Sequence, residues 1–201
     1  MWIGNKYKKP ERLMKTWKDM NPSCEYIEWN DDTLKGETFF LQKQIDDMQS
    51  FNGKTNIMRH ELLYKYGGII VDADSECVRP LDDFFFENDR FTCYENEDAG
   101  VYHGIKRLSS GYMGAKKNDS FFGLCVLELF TRNMKNFKSH CIAGNLFLAI
   151  MACRVKHLLP MKIYPSHYFI PKHGTGLEYT GNDTVYAKQY WGSTFGVYNK
   201  L

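Results

Sequence analysis

A helix-forming run, the pair Gly67-Gly68, three β-branched residues and then Asp72-Ala73-Asp74 follow one another without a gap between residues 55 and 74. Met58, Leu62 and Tyr66 recur at i, i+4 and i+8, which predicts a helix over about 55–66 with one apolar stripe laid on a sheet. The double glycine supplies the backbone freedom that ends a helix. Ile69-Ile70-Val71 is the uninterrupted apolar run of a strand covered on both faces. If helix and strand meet at Gly68 they run antiparallel. Asp72 then lies roughly 13 Å along the strand from the turn. Arg59 lies roughly 13 Å back along the helix. Arg59 and Asp72 are thus at one height, at the carboxyl end of the sheet, where open α/β sheets place their ligands. Asn56, one turn before Arg59, is able to face the same way.

The remainder of the chain reads as strands alternating with helices. Helices are expected at 10–20, 41–48, 121–130 and 145–155, and half-buried or short strands at 24–29, 91–94, 112–115, 161–164 and around 185–187. Asn52-Gly53 reads as a turn, and Met1 to Gly4 as the tail of a strand. Without an internal repeat or a linker, the 201 residues are expected to form one α/β layer domain, complete or the N-terminal part of a larger protein.

Composition narrows the function. Twenty-six basic against 24 acidic residues give a net charge of +2, which argues against a nucleic-acid partner. No apolar run approaches the ~20 residues of a membrane span. The six cysteines form no C-x-x-C pair and several sit in apolar runs, so they read as reduced thiols of a cytoplasmic protein. His60, His103, His140, His157, His167 and His173 show no paired ligand spacing and read as structural or exposed, with His167 and His173 in a segment able to approach the site.

Asp72 and Asp74 carry the chemistry. Two carboxylates one residue apart at the end of a buried strand repel each other unless a cation lies between them. Strand alternation turns Ala73 away from both, and its small side chain leaves room for a ribose. Hard carboxylate oxygens suit Mg²⁺ or Mn²⁺. Such an ion would neutralise the charge that grows on a departing diphosphate. Two rivals use the same residues. A haloacid-type phosphohydrolase also places D-x-D-S after an apolar strand, but it needs a late acidic pair, and after residue 120 only Glu128, Glu178 and Asp183 are acidic. A calcium loop through Asp72, Asp74, Glu76 and Asp83 would need glycine at Cys77 and is interrupted by Pro80.

Lys54-Thr55-Asn56, Arg59-His60 and Leu63 through Asp74 together resemble the DXD-containing glycosyltransferases of family 32, which include fungal initiating mannosyltransferases, capsule enzymes and the core of the clostridial glucosylating toxins. Trp2-Ile3-Gly4, Trp17, Asn21-Pro22 and Trp29-Asn30-Asp31 are similar to that family's opening. Ala143-Gly144-Asn145 and Tyr186 through Ser193 resemble later segments more loosely. The resemblance implies a GT-A fold with a Rossmann-like mixed sheet. It also implies a nucleotide-sugar donor (a UDP-sugar first, GDP-mannose next), a glycan or glycoprotein acceptor, Mn²⁺ or Mg²⁺, and transfer with retention. Carried over, Trp2 and Ile3 border the base, Asp72 and the neighbouring Ala73 meet the ribose and sugar, Asp74 binds the metal and Arg59 contacts the donor. Trp191 is a further donor contact, and Ser193 assists through a phosphate or water. Asn56 stands where the family has Asp, and Gln189 where it has His, with the amide oxygen of Gln189 a candidate metal ligand. These two exchanges keep open a domain that binds nucleotide or glycan without turnover. Relatives place an apolar half-strand before Trp2, and the small soluble versions in bacteria and large DNA viruses are the most similar in scale.

Overall fold

The computed structural model describes residues 1–4, 6–134 and 139–201. In chain order it contains α1 (Glu11–Met20), α2 (Gln42–Asp47), α3 (Phe51–Tyr66), β1 (Gly68–Val71), β2 (Ser75–Cys77), α4 (Phe84–Glu87), β3 (Arg90–Tyr94), β4 (Leu108–Ala115), α5 (Ser120–Phe130), α6 (Ser139–Ile142), α7 (Asn145–Val155), β5 (Lys162–Tyr164), β6 (Ala187–Gln189) and α8 (Gly192–Phe195). The main sheet has the order β1-β4-β3-β5, antiparallel at β1/β4 and β4/β3 and parallel at β3/β5. β1, β3 and β5 therefore share a direction, and their carboxyl ends open on one edge of the molecule. β2 and β6 form a separate antiparallel ribbon.

Both faces of the sheet are covered. Ile57, Met58, Leu62 and Leu63 of α3 join Met113, Phe121, Phe122 and Phe147 in one core cluster. Trp17, Phe85, Phe91, Tyr112, Phe169 and Tyr186 form a second, largely aromatic one. Ile70 packs on the first and Ile69 and Val71 on the second, as the apolar run predicts. All three are nevertheless only half-buried, because β1 is an edge strand.

α3 departs from the expected single stripe. Tyr66 is exposed, whereas Arg59, His60 and Glu61 are buried beside Ile57 and Leu63. The helix is packed by α2, α5 and α6 as well as by the sheet, so its polar residues need internal partners. Glu61 accepts from the N–H groups of Phe40 (2.6 Å) and Leu41 (3.0 Å), and His60 Nε2 bonds the Ala143 carbonyl at 2.9 Å. The helix also begins earlier than expected. Asn52-Gly53 is its first turn, because the Ser50 hydroxyl accepts from Gly53 N–H and caps it.

Residues 24–29 do not form the expected strand. Their alternation survives as burial, Tyr26 and Glu28 half-buried and Ile27 exposed, but nearby pairing is confined to a single parallel bridge between Trp2 and Asn30. A strand needs a neighbour. Between this segment and β1 lies a cavity of about 490 Å³, walled by Trp17, Tyr26, Trp29, Ile70 and Leu81 and reaching Asp72.

Candidate active site

The β1/β4 register decides what surrounds Asp72. Val71 pairs with Tyr112, so Asp72 emerges opposite Gly111. A methyl group at Gly111 would lie 2.2 Å from Asp72 Oδ2, and only glycine leaves the carboxylate its seat. Arg59 donates through one terminal nitrogen to Asp72 Oδ1 and through the other to the Ser110 carbonyl at 3.0 Å. The pairing read from helix and strand rise is present. Ser110 ties in two amides as well: its hydroxyl is 2.5 Å from Asn145 Oδ1 and 3.3 Å from Asn56 Oδ1. Asn56 is thus joined through Ser110 to the residue that Arg59 also bonds, and is half-buried.

Asp74 is set by the small ribbon. β2 begins directly after it, and Ser75 pairs with Gln189 of β6, which brings the Gln189 side chain between the two acids. Gln189 Nε2 donates to Asp74 Oδ1 at 3.1 Å and reaches Asp72 Oδ2 at 3.5 Å. One amide touching both carboxylates puts them on the same side, with the buried Ala73 directed elsewhere. The amide oxygen expected to turn toward a cation instead accepts from the Tyr112 hydroxyl at 2.6 Å. That ordering follows from the donor shortage between two acids, since an N–H is attracted where an oxygen would be repelled. Asp74 Oδ2 accepts from Gly192 N–H at 2.6 Å, and its carbonyl from Tyr190 N–H at 2.9 Å. Burial first, and the charge of Asp72 second, push the Asp74 carboxyl up to about 6, against the pull of these hydrogen bonds.

The C-terminal segment closes one wall. Trp191 takes a left-handed backbone (φ +56) at the start of α8, and its Nε1 donates to the Lys172 carbonyl at 2.9 Å. Ser193 is exposed on α8, beside the Tyr198 hydroxyl. The Tyr198 ring meets Trp2 edge-on at 4.8 Å, and its phenol is pushed up by burial and by Asp74 and Asp72. Trp2 and Ile3 are half-buried, with Trp2 N–H on the Trp29 carbonyl. Sequence reasoning missed Ser110, Gly111, Tyr112 and Tyr198. Each reaches the site through strand register or the terminal fold-back, neither of which leaves a local pattern. His60 is buried and structural; the side chain of His140 lies outside the described residues.

Among the described residues no three His, Cys, Asp or Glu side chains cluster as a metal cage. The pair nonetheless fits a magnesium- or manganese-like ion, which takes one or two carboxylates and completes its sphere with phosphate oxygens and water. Two acids held on one side, one of them buried with a raised pKa and paired with no cationic side chain among the described residues, form such a donor set. No helix among the described residues is long and apolar enough to cross a membrane.

Residues 8–91, which contain Asp72 and Asp74, match the family described as the glycosyltransferase sugar-binding region containing the DXD motif. Over 86 residues the chain is 34% identical to inositol phosphoceramide mannosyltransferase 3 of Schizosaccharomyces pombe. That alignment covers 40% of this chain, which spans 22% of the yeast protein's length. The mixed α/β fold is shared with the PaToxG glycosyltransferase, at a TM-score of 0.54 and 17% identity over 79% of this chain and 68% of that one.

Proposed function

We propose that the chain is a glycosyltransferase domain of the family 32 type, with the GT-A fold, which transfers a sugar from a nucleotide-sugar donor to a glycan or protein-linked acceptor. The observation that carries this reading is the Asp72/Asp74 pair, held on one side of the strand end with Arg59 on the first acid and a polar amide across both. Asp74 is the principal metal ligand and Asp72 the donor-binding carboxylate. Arg59 orients Asp72 and presents positive charge to the donor. Asn56 sits beside Ser110 for the donor sugar. Trp2 and Ile3, with Tyr198, border the base, and Trp191 and Ser193 flank the diphosphate. Mn²⁺ or Mg²⁺ bound by this pair would supply Lewis-acid stabilisation of the charge growing on the leaving diphosphate. Retention of configuration suits a site in which no general base stands out, since the leaving phosphate oxygen can take the acceptor's proton. A UDP-sugar is the favoured donor; GDP-mannose is next, in keeping with the mannosyltransferase named above. Six unpaired cysteines suit work in the reducing cytoplasm.

A second reading, a domain that binds nucleotide or glycan without turnover, draws on Gln189, whose N–H already answers both acids. Thermal unfolding with UDP-sugars and GDP-mannose, with and without Mn²⁺, tests both. A donor at a hundredfold excess over its Kd adds about 2.7 kcal/mol of stability. The metal-dependent part of that shift is expected to vanish in Asp74→Ala; its full survival in the variant would remove Asp74 from the metal site. Donor hydrolysis under the same conditions separates turnover from binding alone.

A further inference from the structure

Four acidic side chains are buried among the described residues: Glu61, Asp74, Glu95 and Asp119. Three are answered. Glu61 accepts two backbone N–H groups, Asp119 accepts two and an Arg90 nitrogen, and Asp74 is bonded as described. Among the described residues the Glu95 carboxylate accepts no hydrogen bond; His173 Nε2 stands 3.7 Å from Oε1, beyond hydrogen-bond reach. With 11% of its side chain exposed and neither oxygen sealed from solvent, this carboxylate keeps free acceptor capacity for a partner outside the protein.

Its place in the fold says which partner. Glu95 follows β3 as Asp72 follows β1, and the two strands share a direction, so both acids stand at the same end of the sheet. The imidazole beside it is fixed. His173 Nδ1 accepts from Thr175 N–H at 3.3 Å and faces the Thr175 hydroxyl at 2.8 Å, which leaves the proton on Nε2, toward Glu95. The other side of His173 meets the Trp191 ring edge-on at 5.0 Å, and the residue after Trp191 donates to Asp74. Trp191 and His173 thus belong to a chain of neighbours that runs from Asp74 to Glu95. A carboxylate short of donors, an imidazole N–H and an indole are the groups that hold a polyol: acceptor, donor and apolar wall.

We propose that Glu95 and His173 form the acceptor subsite, in which Glu95 accepts a hydrogen bond from a hydroxyl of a carbohydrate acceptor and His173 Nε2 donates to its neighbour. The inference rests on the donor site assigned above and adds to it the residues that select the acceptor. It is tested on the full chain by saturation-transfer NMR with methyl α-D-mannopyranoside and methyl β-D-galactopyranoside, in the presence of UDP and Mn²⁺. At least one glycoside is expected to receive saturation from the wild type. Glu95→Gln, which keeps size and removes the charged acceptor, is expected to weaken it by about tenfold. Its melting temperature and its UDP/Mn²⁺ shift should stay as in the wild type. Wild-type binding in Glu95→Gln, or no saturation of either glycoside by the wild type, overturns the subsite. Loss of the nucleotide shift in the wild type with glycoside binding intact would sink the donor-site reading instead.

Discussion

A single methyl group at position 111 separates a seated Asp72 from a displaced one. Gly111→Ala would put a carbon 2.2 Å from Asp72 Oδ2, where the strand cannot give way without breaking its pairing. We expect this variant to fold, since the clash falls on the end of a side chain that is 25% exposed and able to turn, and to lose at least about tenfold in donor affinity, roughly one charge-assisted hydrogen bond. Calorimetric titration with UDP and Mn²⁺ checks it; unchanged affinity would show that Asp72 does not hold the donor. At this scale the sequence was partly readable. Arg59 and Asp72 could be matched because helix and strand rise are constants and only a tight turn separates them. Gly111 and Ser110 could not, since their nearness to Asp72 and Arg59 depends on a register that local spacing does not encode. Gln189 was named as a candidate ligand through its oxygen, whereas its amide is oriented by Tyr112, a partner on another strand, with the nitrogen toward the acids.

Each structural element of the site depends on a junction. Gly67 combines φ +70 with ψ −156, and a side chain there would meet the Lys117 backbone nitrogen at 2.5 Å. Gly67→Ala is expected to cost roughly 1–3 kcal/mol. Each kcal/mol lowers Tm by about 2–4 °C in a chain of this size. Scanning calorimetry measures it, and a Tm equal to the wild type's would mean that the α3–β1 turn carries no strain barred to side chains. The helices with strong apolar or capping signals, α1, α3, α5 and α7, were legible to within a few residues, as were β1, β3 and β5. The segment 24–29 was not. Its alternation is that of a strand, yet a ladder takes two partners, and pattern alone cannot tell whether the second is there. β6 was displaced by two residues, because its position is fixed by the Ser75–Gln189 pairing and not by its own composition.

For the molecule as a whole, His60 ties stability to pH. It is fully buried between Phe122 and Phe147, and burial drives its imidazole down to about 4. The unfolded chain takes up a proton near 6.5 and the folded one does not until about 4. Stability is therefore complete above pH 6.5 and falls between 6.5 and 4, by about 3 kcal/mol in total. Denaturant midpoints across that window should decline less steeply in His60→Gln than in the wild type; parallel declines would exclude His60 as the source. The layered α/β class was plain from the alternation of elements, whereas the strand order and the division of the core into two clusters were not, being properties of long-range pairing. One trait of the finished architecture concerns its rim. β1 is paired on one flank only, and its other flank looks into the cavity beneath residues 24–29, so it is that irregular segment which screens the edge of the sheet. Removing it would bare the unpaired main chain of β1 to any extended polypeptide nearby.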